Sequence, residues 1–132
     1  MTQADHHAMK DLTFAVIGAA MEVHRELGPG YLESVYEEAL SIELTREKIK
    51  HQRQVPIPLR YKGHALEKSH RLDFLVEDRL ILELKAVAGF EPIHRATTLS
   101  YLKATRCPLG LLINFNTTVL KDGILRVIAT QP

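Results

Sequence analysis

The sequence has no tryptophan, one cysteine and only 6% aromatic residues, and neither sign of charge dominates it: 17 Lys+Arg stand against 16 Asp+Glu in 132 residues, a formal net charge of +1. Each scarcity excludes something. A lone thiol, Cys107, can neither close an internal disulfide nor build a thiolate zinc site, which fits a reducing compartment. With so few aromatics there is no evident base-stacking platform, so any contact with nucleic acid is expected to run through the backbone rather than through base readout. The near-neutral total neither demands nor forbids such a partner, and any electrostatic footprint must be local. The longest apolar run, Phe14 to Met21, is cut off by Glu22 well short of a membrane span, and the polar start MTQADHHAMKDLT has no charged-then-apolar leader pattern. A soluble, cytoplasmic protein with no membrane partner is expected. The 45% hydrophobic and 25% charged residues are ordinary globular values, and the length suits one domain but not a catalytic domain plus a separate recognition domain.

Residues 1–11 carry no periodicity and read as a flexible lead-in, leaving 12–132 as a single domain. From Leu12 to Leu27 apolar residues recur at helical spacing until Gly28-Pro29-Gly30 stops them. A second helix is predicted from about Leu32 to Lys48, with Leu32, Val35, Tyr36, Ala39, Leu40, Ile42 and Leu44 as its buried stripe. The period then changes from 3.6 to 2. Val55, Ile57 and Leu59 alternate with Pro56, Pro58 and Arg60, an edge strand by its prolines. Tyr61 to His64 reads as a turn, His70–Val76 and Leu80–Val87 as strands, and Pro92–Thr105 as a helix. Leu109–Phe115 reads as a central strand covered on both faces, and Ile124–Ile128 as a terminal one.

Chemistry concentrates in the strand pair around Glu77-Asp78-Arg79. Closing it with a three-residue loop sets Leu72 opposite Leu84, Phe74 opposite Leu82 and Val76 opposite Leu80, an all-apolar face. The same register sets Asp73 across from Glu83, with Lys85 two residues on and on the same second face. Two carboxylates about 5 Å apart repel unless one is protonated or a cation lies between them. Oxygen-only ligands of this kind suit Mg²⁺ or Mn²⁺, and an adjacent lysine can orient water and stabilise charge on a phosphoryl transition state. A bare cross-strand ion pair on a solvated face is the competing reading of the same spacing.

The Asp73…Glu83-Leu84-Lys85 hairpin, preceded by a helix and followed by a helix and a strand, resembles the PD-(D/E)XK nuclease superfamily. Gly30, Glu33 and Tyr36 match the signature of its GxxExxY branch. Gln54-Val55-Pro56, Arg71-Leu72-Asp73, Glu83-Leu84-Lys85-Ala86-Val87, Tyr101-Leu102-Lys103 and Gly110 to Phe115 are also similar to that branch, over roughly residues 12–128. The resemblance implies an α/β fold, a nuclease-like αβββαβ core with a mixed central sheet, here with an extra N-terminal helix. It implies a divalent-metal-dependent nuclease in which Asp73, Glu83 and the backbone carbonyl of Leu84 hold Mg²⁺ or Mn²⁺. Lys85 would position water, and Glu33 would serve the water or a second metal. By the helical wheel Glu33 projects between Leu40 and Leu44, which favours it over Glu37, Glu38 and Glu43.

Gln54, His94 and Tyr101 are the candidate substrate contacts, and the implied partner is nucleic acid, with DNA favoured over RNA and homodimerisation left open. The chain departs from the pattern at Thr97, where related branches carry a glutamine four residues before the tyrosine; a threonine cannot make the same two-headed contact. That departure motivates the alternative of a non-catalytic nucleic-acid- or partner-binding domain that keeps the nuclease fold. Basic residues group locally, Lys48, Lys50 and Arg53 at the helix-to-strand junction, Arg60 and Lys62 at the first turn, and Arg95, Lys103 and Arg106 on the later helix, and such groups could face phosphates or simply be solvated surface.

Overall fold

The computed structural model describes residues 2–129. Helix α1 runs over Gln3–Leu27, so residues 3–11 are helical and not the irregular lead-in expected of them. Two features explain the longer helix. Thr2 and Asp5 form a capping box, the Asp5 amide donating to Thr2 Oγ1 (3.1 Å) and the Thr2 amide to Asp5 Oδ2 (3.0 Å), and Met9 is buried one turn later. The rest of this first stretch is polar because it faces solvent. At the other end Gly28 takes φ +70° and its amide caps His24 O at 2.7 Å.

Helix α2 (Glu33–Arg46) buries only Tyr36, Leu40 and Leu44, a narrower stripe than predicted; Leu32, Val35 and Ile42 are exposed. Tyr36 fixes how α2 meets the rest of the molecule. Its ring stacks on Phe115 (centroids 4.5 Å apart, 9° between planes), while its hydroxyl donates to Gly28 O (2.6 Å) and accepts from the Tyr31 amide (3.1 Å). The tyrosine of the G-x-x-E-x-x-Y segment thus ties the interhelical loop to the core.

Strands β1 (His51–Ile57), β4 (His70–Val76), β5 (Leu80–Lys85), β6 (Leu109–Asn114) and β7 (Ile124–Ile128) form one sheet in the order β1-β4-β5-β6-β7. Only β5 and β6 are parallel, joined by helix α3 (Pro92–Thr105) as the long crossover that parallel strands require. Strands β2 (Arg60–Tyr61) and β3 (His64–Ala65) form a separate small hairpin between β1 and β4, turned at Lys62 (φ +49°) and Gly63 (φ +82°). Taking α2, β1, β4, β5, α3 and β6 in turn gives the expected αβββαβ core within a mixed sheet, with α1 as the additional helix. β1, which carries Pro56 and is followed by Pro58, is an edge strand, as read from the sequence.

The sheet separates two apolar clusters. Phe74, Val76, Leu80, Leu82 and Leu84 join residues of α1 and α2, whereas Ile81 and Leu112 join Leu102 of α3. Gly110 allows α3 its close approach, since a Cβ there would come within 2.9 Å of Thr98 Cγ2. Two expected pairings, Asp73 with Glu83 and Leu72 with Leu84, lie outside the ladder. Leu72 packs with Ile57, Ile81 and Leu102, on the α3 side and away from Leu84. The β4–β5 pairing runs Val76↔Leu80, Leu75↔Ile81 and Phe74↔Leu82, the predicted register, and ends there. Beside the break Gln54, in β1 across from Asp73, takes φ +52°, so the strict alternation assumed for a flat pair is lost between Phe74 and Leu72.

Candidate active site

The end of the β4–β5 ladder is where the polar residues gather. Beyond Phe74 the Asp73 side chain replaces a backbone partner: its Oδ2 accepts the Leu84 amide at 2.7 Å. Because the N–H and C=O of one residue leave a strand on the same edge, the Leu84 carbonyl also points toward β4, past the last paired residue. Glu83, one position before, is only 6% exposed, and its Oε1 is buried with no hydrogen-bond partner. Such an orphaned carboxylate oxygen is costly unless the group is protonated or meets a cation. Burial first, and then the charge of Asp73, push the Glu83 carboxyl up to about 9. Burial likewise raises Asp73, against the Leu84 amide, which favours its charged form.

Glu83 and Lys85 open into a cleft of about 80 Å³ between the sheet and α3, closed by Ile93, His94, Thr97, Thr98, Tyr101 and Leu112. The cleft is several-fold smaller than the ~300 Å³ lower bound of ordinary small-molecule pockets. It has room for an ion, waters or a phosphoryl oxygen, so a nucleotide would have to lie across its mouth. His94 is fixed by the Glu91 amide, which donates to Nδ1 at 3.0 Å; in the neutral ring the proton is therefore on Nε2. Tyr101 Oη pairs with His70 Nδ1 at 2.9 Å, and burial, then Glu83 and Asp73, hold its phenol above the usual range, so it stays a neutral hydroxyl. Asn114 braces the chain after Lys85, its Nδ2 donating to Val87 O (2.9 Å) and its Oδ1 accepting the Val87 amide (3.1 Å).

The structure does not bring Glu33 to this cluster. It is the exposed first residue of α2, and among the described residues no hydrogen bond or ion pair joins it to Asp73, Glu83 or Lys85. The helical wheel carries no information on axial level: the buried stripe begins at Tyr36, and Glu33 lies a turn outside it, where a negative charge suits the helix N-terminus. The α2 carboxylate whose charge reaches Asp73 is Glu37. Arg53 holds it from Nη2 (2.9 Å) and Nε (3.2 Å), and Gln54 Nε2 donates to Oε1 at 2.5 Å. Gln54 reaches Glu37 from a left-handed backbone (φ +52°) that its residue type does not announce. Gln54 is thus seen holding Glu37. His24 bonds Thr117 O (2.8 Å), away from the cleft.

The donor set fits an oxygen-ligated divalent cation: two adjacent carboxyls, one with an unpartnered oxygen, and a strand carbonyl on the same edge. Among the described residues no three His, Cys, Asp or Glu side chains come together as a group that could hold a metal ion.

An open, mixed α/β sheet carrying an Asp, a Glu-x-Lys and a neighbouring helical carboxylate at the end of its central strands defines the class of nuclease-like folds. A family model of the PD-(D/E)XK nuclease superfamily matches residues 10–127, and the chain belongs to that superfamily. No curated protein and no solved structure matches it. Among the described residues no helix is long and apolar enough to cross a membrane.

Proposed function

We propose that the protein is a Mg²⁺- or Mn²⁺-dependent nuclease of the GxxExxY branch, hydrolysing phosphodiester bonds of nucleic acid in the cytoplasm. What carries this reading is the convergence of Asp73, Glu83 and Lys85 at the open end of the β4–β5 ladder, with Glu83 Oε1 left unpartnered. Asp73, Glu83 and the Leu84 carbonyl would hold the metal, which when bound would supply Lewis-acid polarisation of the phosphodiester and ease deprotonation of the attacking water. Lys85 Nζ orients that water and neutralises charge growing on the phosphoryl oxygens. The Leu84 amide fixes the Asp73 carboxylate before substrate arrives, so no reorganisation is needed during the reaction. Glu37, gripped by Arg53 and Gln54, takes the helix-carboxylate role that the wheel had given to Glu33. His94 Nε2–H and the Tyr101 hydroxyl, both at the cleft, donate to substrate oxygens.

A cleavage screen over single-stranded, duplex and branched DNA and over RNA, with Mg²⁺ or Mn²⁺, tests this. Cleavage should require the metal, and Lys85→Ala should lower it by about 100-fold or more, the size of an ordinary electrostatic or general-base contribution. Equal rates for Lys85→Ala and wild type would remove the assigned mechanism. Thr97, lining the cleft where a longer amide would reach farther, favours one second reading, a binding domain without catalysis. That domain would hold nucleic acid equally well in chelator and cleave nothing.

A further inference from the structure

The cleft explains how one phosphate could be handled, and it leaves open what holds the strand on either side of it. The β2–β3 hairpin is rooted at the end of the β1–β4 ladder whose His70 bonds Tyr101 of the cleft. The β1–β4 ladder ends with the pair Ile57↔His70, and the hairpin fills the twelve residues between them, its root continued by the Leu66 amide donating to Leu59 O at 2.9 Å. His70 touches Tyr101, and Tyr101 lines the cleft with Glu83 and Lys85. The hairpin's base is therefore one hydrogen bond from the site.

Its surface has a different character from the rest of the chain. Every residue from Arg60 to Arg71 is exposed, and the segment belongs to neither apolar cluster. Within it four cations, Arg60, Lys62, Lys68 and Arg71, face one anion, Glu67, a net +3 in a chain whose total is +1. None of the four has an acidic partner among the described residues, in contrast to Arg25, Arg46 and Arg53, each paired with a glutamate. The turn is held open in a defined shape by positive φ at Lys62 and Gly63 and by Arg60 Nη1 donating to Gly63 O (3.3 Å). Lys62 Nζ lies 5.5 Å above the ring of Tyr61, itself 61% exposed. A short strand pair this polar contributes little to a core, whereas cations without acidic partners on a segment rooted at the cleft are what a polyanion crossing that cleft requires.

We propose that the β2–β3 hairpin is a backbone grip: Arg60 and Lys62 bind phosphates of the nucleic-acid strand flanking the one at the cleft. This rests on the nuclease reading of the cleft and adds the direction in which the strand leaves it, past His70 and over the hairpin. The contact carries no base readout, which agrees with the scarcity of aromatics.

The test is binding of a short fluorescein-labelled DNA duplex to the whole protein, in EDTA and again in Ca²⁺, across a titration of monovalent salt. The variant Arg60→Gln/Lys62→Asn removes two charges and keeps a residue tolerant of positive φ at the turn. The control Lys10→Gln/Lys121→Gln removes two exposed charges from α1 and the 3₁₀ turn at Leu120–Gly123, on the other side of the sheet. The hairpin variant should bind roughly 10-fold or more weakly at moderate salt, with the slope of log K against log salt reduced by about 1.8 in EDTA, while the control keeps the wild-type slope. Both should melt as the wild type does. If wild type binds and the two variants lose affinity equally, or neither loses any, the grip is overturned and the nuclease reading stands. If wild type binds no DNA or RNA in either buffer, both fall together.

Discussion

The two faces of β5 differ in what they ask of neighbouring residues. Leu80, Leu82 and Leu84 enter a dry cluster with α1 and α2 in which nothing polar competes, while Ile81, Glu83 and Lys85 face α3 and pass within two positions from core to charge. A face built only of packing tolerates no missing volume. A face that stores an unpartnered carboxylate gives up stability in order to bind something, and the two should respond to substitution with opposite signs.

The largest expected effect is on the apolar face. Leu82→Ala should cost about 2–5 kcal/mol, measured by urea denaturation, because a fully buried side chain leaves a cavity that the stacked helices cannot fill. Its neighbour should do the reverse: Glu83→Gln keeps the shape, removes the cost of protonating a buried carboxyl on folding, and should stabilise the metal-free protein at pH 8 while abolishing cleavage. If both substitutions destabilise alike, the contrast between the faces is mistaken.

The same carboxyl sets the pH dependence. Glu83 titrates near 4.5 when the chain is unfolded and at about 9 when folded, raised by burial first and then by Asp73. The folded state therefore holds a proton that the unfolded state has released. The stability of the neutral form is fully present below about 4.5 and is lost as pH rises toward about 9, at up to ~1.4 kcal/mol per pH unit for this one group. Melting of the metal-free protein from pH 5 to 9 should show this decline, and Glu83→Gln should flatten it. Divalent metal should oppose it, raising the melting temperature most at high pH, where the cation does not compete with the proton. At 100 times its dissociation constant Mg²⁺ would add ~2.7 kcal/mol, and Asp73→Asn should shrink that gain. An unchanged metal response in Asp73→Asn would place the ion elsewhere.

How much of this was legible in the sequence follows from what kind of information each feature needs. The β4–β5 register came out right because a one-residue slip would have put charges among the leucines of β5. Helix α3 came out right because its apolar residues recur at helical spacing after Pro92, and β7 was read from the short apolar stretch Ile124–Ile128. The start of α1 was missed because a capped, solvent-facing turn has no apolar period to detect. Leu72 was assigned to the wrong face because the alternation breaks beside Gln54, whose left-handed backbone nothing in Gln-Val-Pro announces. Glu33 was preferred on a wheel, which reports direction around a helix and not distance along it.

The smallest effect concerns a residue that sequence resemblance makes conspicuous. Tyr36 closes the Gly30, Glu33, Tyr36 signature, and a signature residue invites a catalytic role. Its position argues otherwise, since the ring belongs to the α1/α2 cluster, stacked on Phe115, and its hydroxyl is spent on Gly28 O and the Tyr31 amide. Tyr36→Phe keeps the stack and leaves one carbonyl and one amide without their partner, at a cost of roughly 1 kcal/mol, toward the low end because both groups lie near the surface loop and can recruit water. Cleavage by the folded variant should match wild type within a factor of two or so, with an unchanged dependence on Mg²⁺. A large fall in cleavage rate with unchanged stability would move Tyr36 from the packing face to the chemical one, and the division drawn at β5 would then have to be redrawn through α2.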